Sequence, residues 1–109
     1  MQYSISMQFW FSPVRIVGRE KLGEFCSIHG EARKWIANWT SEVEAAAWQS
    51  PQAIKEQYPA ASFLADNVVI FNVRGNAFRL EVLVAYRTGV LQVVWAGTHA
   101  QYDRRHSKR

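Results

Sequence analysis

The sequence is poor in the residues that staple or interrupt a fold. Its single cysteine, Cys26, has no partner for an internal disulfide, and a thiolate zinc site needs at least two such residues. A reducing compartment is the expectation. Three prolines and six glycines in 109 residues exclude collagen-like and low-complexity organisation. No run approaches the ~18 apolar residues of a membrane span, and residues 1–13 lack the basic start and long apolar stretch of a signal peptide. A cytoplasmic chain that meets no membrane is therefore expected. Glycine-rich phosphate loops, His-Glu metal motifs and Ser-His-Asp signatures are missing as well, and Glu42 and Glu44 cannot share one helix face. Neither a metal nor a cofactor is expected.

What is present is apolar and aromatic. Hydrophobic residues make up 49% of the chain, aromatics 14% and charged residues only 20%, too little charge for a disordered polyelectrolyte. The length suffices for one core and not for two. The net charge of +4 is unevenly placed: residues 1–65 carry six cations against six carboxylates, residues 66–109 seven cations against three. Six of those seven are Arg, whose planar fork suits phosphate, so a polyanionic partner is one reading and ordinary surface charge the other.

Along the chain, 14–17 is a short β-branched run between Pro13 and Gly18, fit for an edge strand. The stripe Leu22, Phe25 and Cys26 predicts a short helix from Arg19 to about Gly30. Ala32, Trp35, Ile36, Trp39 and Val43 predict a second, and Ser50-Pro51 opens a third that Pro59 limits. Three strands follow at 68–73, 77–86 and 90–98, separated by Gly75-Asn76 as a two-residue type II′ turn and by the three-residue loop Arg87-Thr88-Gly89. Such segregation predicts an α+β fold, a small antiparallel sheet with N-terminal helices packed on one face. Residues 14–105 form the expected domain. Residues 1–13 read as an extension, or as a start-site error with Met7 as the alternative start, and 106–109, with His106, as a basic tail.

Turn lengths fix register. The two loops set Asn72 opposite Arg79, Arg79 opposite Gly97 and His99 opposite Ala77, so Asn72, Arg79 and His99 converge at one end of one face. An Arg that holds a phosphate and a His that passes a proton support phosphodiester cleavage, with the 2′-OH of RNA as nucleophile. Tyr102 and Asp103 would add a hydroxyl and an orienting carboxylate. The competing reading is structural: a satisfied strand-end His and surface charges at Arg79 and Glu81. His29 reads as a helix C-terminal residue, and Trp35 and Trp39 as core or partner-facing surface.

The run VIFNVRGNAFRL at 69–80 and the run GTHAQYD at 97–103, with WQSP at 48–51 and YPAASF at 58–63, strongly resemble the HigB-type toxins of bacterial type II toxin–antitoxin systems. The likeness extends over about residues 14–105, and its paired FNxxGNxxRL and GTHxxYD segments are specific. It implies the small RelE-like toxin fold and an mRNA interferase, an endoribonuclease that cuts mRNA at the translating ribosome without a metal. Inhibition by a HigA-like helix-turn-helix antitoxin is implied too. Carried onto this sequence, Arg79 binds the phosphate, His99 transfers protons and Tyr102 positions the phosphate. Asn72, Arg74, Asn76, Arg104 and Arg105 contact RNA, and Arg74 stands where similar toxins often carry lysine. The alternatives are a toxin of the same fold that binds a protein target such as gyrase, and a non-catalytic RNA-binding module.

Overall fold

In the computed structural model, which describes residues 14–107, helical stripes and alternating strands close on one apolar layer. The elements are β1 (Arg15–Val17), α1 (Arg19–Ile28), a 3-10 turn (Gly30–Ala32), α2 (Arg33–Ala45) and α3 (Pro51–Gln57). There follow β2 (Ser62–Phe63), β3 (Val68–Val73), β4 (Phe78–Ala85), β5 (Val90–Thr98) and α4 (His99–Ser107). Leu22, Phe25 and Cys26 bury one side of α1, and Ile36, Trp39 and Val43 one side of α2. Ser50 caps α3 by accepting from the Ala53 amide, with Pro51 in the first turn.

The sheet has the order β1-β5-β4-β3-β2. Strands β3 to β5 are antiparallel as expected and β2 adds to β3 antiparallel, but β1 runs parallel to β5, so the sheet is mixed. A parallel neighbour needs a crossover, and α1 to α3 supply it. Strand β2, absent from the sequence reading, joins β3 through Asp66 and Asn67, whose φ values of 63 and 65 are those of a type I′ hairpin turn.

Asn72 stands opposite Arg79 and Arg79 opposite Gly97, through two departures from the expected geometry that cancel. Ala85 pairs with Val90, which makes the loop four residues, 86–89, rather than three; Gly89 takes the left-handed conformation, φ 71. A bulge then sets Val93, Val94 and Trp95 against Val82 and Glu81, and this extra β5 residue restores the register toward Arg79.

On β4 the side chains Phe78, Leu80, Val82 and Val84 enter the core beneath the helices, joined by Val69, Phe71, Val73, Leu91 and Val93. Phe71 is the hub, with ring centroids 5.5 Å from Trp39, 6.1 Å from Trp48 and 5.2 Å from Tyr58. The opposite face carries Arg79 and Glu81 and is met by α4, which the sequence reading did not foresee. Helix α4 continues through Ser107, so His106 lies on a helix rather than in a tail. The 1–13 extension and the end of the tail, Lys108 and Arg109, lie outside the described residues.

Candidate active site

Strand alternation places Arg79 on the face away from α1 to α3, flanked across the ladder by Asn72 and Gly97. Arg79 is only 9% exposed. Its Nη1 donates to the Phe78 carbonyl at 3.0 Å and its Nη2 to Asn76 Oδ1 at 3.3 Å. Among the described residues no carboxylate forms an ion pair with it. A buried cation without a counter-ion is costly, and an anionic ligand would relieve that cost.

The end of β5 turns directly into α4 through a capping box. Gln101 accepts the Thr98 amide on Oε1 at 2.9 Å, and Thr98 Oγ1 accepts the Gln101 amide at 3.1 Å. Gly97 makes this possible: a Cβ there would lie 2.6 Å from Gln101 Oε1 and 2.6 Å from the Trp95 ring. His99 thus starts the helix with its amide donating to the Ala77 carbonyl at 3.2 Å. Its Nδ1 lies 3.5 Å from Asp103 Oδ2, which leaves Nε2 toward solvent or a ligand.

One turn further, Tyr102 packs at 6.2 Å from the Trp95 ring and 4.3 Å from the His106 ring. Burial pushes its phenol above the ordinary value, and Glu81 adds to the rise while Arg79 opposes it. At neutral pH Tyr102 is therefore a hydrogen-bond donor and not a phenolate.

Glu81, 7% exposed, clamps α4 to the sheet. Its Oε1 accepts from Arg105 Nε at 3.1 Å and lies 3.3 Å from His106 Nε2, and its Oε2 takes Arg105 Nη2 at 3.5 Å. Burial pushes this carboxyl up, but the hydrogen bonds and charges of Arg105 and His106 outweigh it and hold it below the usual carboxylate value. A carboxyl depressed on folding contributes stability above its unfolded pKa of about 4.3 and loses it as pH falls through the lower folded value. Glu81→Gln is thus expected to lower the melting temperature at neutral pH and to flatten its decline below about pH 4.3. Melting curves that shift by the same amount at every pH would contradict the clamp.

Of the residues singled out from sequence, Asn72, Asn76, Arg79 and Tyr102 gather around one face, with His99 at the same end of the sheet. Arg74 is exposed on the turn with φ 51, a left-handed conformation that costs a non-glycine residue about 1–3 kcal/mol. Arg104 is exposed on α4, whereas Arg105 is engaged by Glu81 and lies 5.3 Å over the Trp95 ring. Sequence reasoning missed the roles of Glu81, Trp95 and His106 in holding α4; the Thr98-x-x-Gln101 box was the available signal. Among the described residues no group of three or more His, Cys, Asp or Glu side chains could hold a metal ion, and no helix is long and apolar enough to cross a membrane.

No curated protein matches the chain. A protein-family model, HigB_toxin, described as the RelE-like toxic component of a toxin-antitoxin system, matches residues 32–105. The matched segment takes in α2 to β5 and most of α4, including Arg79, His99 and Tyr102. With well over half its length in that match and an α+β fold compatible with it, the chain belongs to the HigB family of RelE-like toxins and has an antitoxin as its partner.

Proposed function

We propose that this toxin is an mRNA interferase, a metal-independent endoribonuclease that cuts mRNA at the translating ribosome and is restrained by a HigA-like helix-turn-helix antitoxin. Arg79 carries the proposal: a buried guanidinium with free donors and no carboxylate partner, inside the motif that marks the family. A phosphodiester supplies the missing anion. The 2′-oxygen attacks the adjacent phosphorus, the bond to the 5′-oxygen breaks, and the proton lost by the 2′-OH is balanced by one given to the leaving 5′-oxygen. A 2′,3′-cyclic phosphate and a 5′-hydroxyl remain. Arg79 neutralises charge on the phosphate as it grows, His99 moves protons through Nε2, and Tyr102 donates to a phosphate oxygen.

Asn72 and Asn76 border Arg79 from β3 and its turn, and the exposed Arg74 on that turn and Arg104 on α4 meet the RNA backbone. Arg105 is held by Glu81, so its main contribution is to keep Tyr102 and His99 in place. The ribosomal setting and the kind of antitoxin come from the likeness to HigB-type toxins. Primer extension on RNA from cells expressing the toxin is expected to show cut transcripts, absent with His99→Ala at equal expression. Damaged DNA with uncut transcripts would instead assign the toxin to a protein target such as gyrase.

A further inference from the structure

Strand β1 is three residues long and pairs with β5 only at residues 90–92. From 93 to 98 the outer edge of β5 meets no strand among the described residues. Helix α1 stands on one side of that edge and α4 on the other, and a groove of about 860 Å³ runs between them. That volume falls within the range of about 300–1,000 Å³ of small-ligand sites. Trp95 and Gly97 form part of its floor, Lys21, Glu24 and Phe25 line the α1 wall, and Arg104 lines the α4 wall.

The charges and the position of this groove favour one kind of occupant. Lys21 and Arg104 have no ion-pair partner among the described residues, against a single carboxylate, Glu24. Two free cations beside the half-buried Trp95 indole are the equipment of a single-stranded nucleic-acid site, where phosphates meet the cations and a base stacks on the aromatic surface. Duplex RNA keeps its bases stacked inside and offers none. Gly97 belongs both to the groove and to the ladder position opposite Arg79. Adjacent strands lie about 4.8 Å apart, so the groove begins one strand over from Arg79, past the Gln101 and Trp95 side chains that fill the space above Gly97.

We propose that this groove is a subsite for the nucleotide flanking the cleavage point, its base against Trp95 and its phosphate between Lys21 and Arg104. The subsite rests on the ribonuclease reading above. A peptide strand added to the open edge of β5 is the rival occupant, and the unpaired cations weigh for phosphate.

The test uses the purified full-length toxin and two fluorescent single-stranded 2′-O-methyl oligonucleotides, which lack the nucleophile, one short and one extended by flanking nucleotides on either side. Wild type is expected to bind the longer one about tenfold more tightly. Lys21→Glu and Trp95→Leu are expected to remove most of that advantage and to raise KM for a cleavable RNA of the longer length, and Lys21→Glu to leave the short oligonucleotide bound as by wild type. Lys21 is exposed on α1, so that variant stays informative even where Trp95→Leu loosens α4. Equal binding of both oligonucleotides by wild type, or variants that keep the length advantage, would overturn the subsite; cleavage by wild type would then still uphold the ribonuclease reading. Lys21→Glu that loses its antitoxin but binds RNA normally assigns the groove to a peptide and overturns the subsite too. A wild-type protein that binds neither oligonucleotide and cuts no RNA, with or without ribosomes, overturns both.

Discussion

Arg79→Ala is expected to slow RNA cleavage by about 100- to 1,000-fold, the usual cost of removing one preorganised donor to a developing oxyanion. The guanidinium is fixed before substrate arrives, because the Phe78 carbonyl and Asn76 Oδ1 each hold one terminal nitrogen and the buried position excludes competing water. No reorganisation is then needed as charge moves onto the phosphate. Folding should suffer less than activity. Truncation leaves the exposed Asn76 amide and one carbonyl without a partner, but it also removes a buried cation that no carboxylate balances. Arg79→Lys keeps the charge and loses the fork, so it should fall between wild type and Ala. Single-turnover cleavage with melting temperatures measured alongside checks this. An Arg79→Ala protein that cuts RNA at the wild-type rate would remove Arg79 from the chemistry.

The largest effect on stability is expected at Phe71→Ala, about 3–5 kcal/mol against a total of about 5–15 kcal/mol for a domain. Phe71 is 1% exposed and touches rings from α2, from the loop before α3 and from the end of α3, so its loss opens a cavity that rigid aromatic neighbours fill poorly. Asn72, next along β3, would lose its firm register with Arg79. Denaturant unfolding measures the loss, with Phe71→Leu as the milder control. A change below about 1 kcal/mol for Phe71→Ala would show that the surrounding rings collapse into the space.

Much of the site was legible because local rules govern it. The pairing of Asn72 with Arg79 is the one a two-residue turn at Gly75-Asn76 predicts, although the last ladder pair is Val73 with Phe78 and the connection 74–77 has positive φ at both Arg74 and Gly75, 51 and 66, where a type II′ turn has it at Gly75 alone; a four-residue connection keeps the same register. The pairing of Arg79 with Gly97 was reached by a less secure route, since a longer loop at 86–89 and the extra residue at Val94 offset each other. Bulges leave little trace in a strand whose residues are all β-favouring, and Val93-Val94-Trp95 is such a run. The parallel pairing of β1 was hidden for another reason: its partner lies more than seventy residues away, and three residues carry no register signal.

Helix α4 was missed because apolar periodicity was the signal sought and this helix buries no residue fully. Its start was written in Thr98 and Gln101, and its docking depends on Glu81, a carboxylate in an otherwise apolar strand. A charge at such a position asks for a partner, and Arg105 and His106 are that partner. The left-handed backbone of Arg74 had no sequence signal.

The most direct measurement is end-group analysis of a defined mRNA cut by the purified toxin on programmed ribosomes. Chelation is informative only at a magnesium level that keeps ribosomes intact, so a chelator-treated reaction on free RNA accompanies it. Fragments ending in 2′,3′-cyclic phosphate and beginning with 5′-hydroxyl are the expected products, and they should vanish with Arg79→Ala. Fragments with 3′-hydroxyl and 5′-phosphate ends, or intact mRNA under conditions where the toxin still arrests growth, would contradict cleavage by internal 2′-OH attack at Arg79.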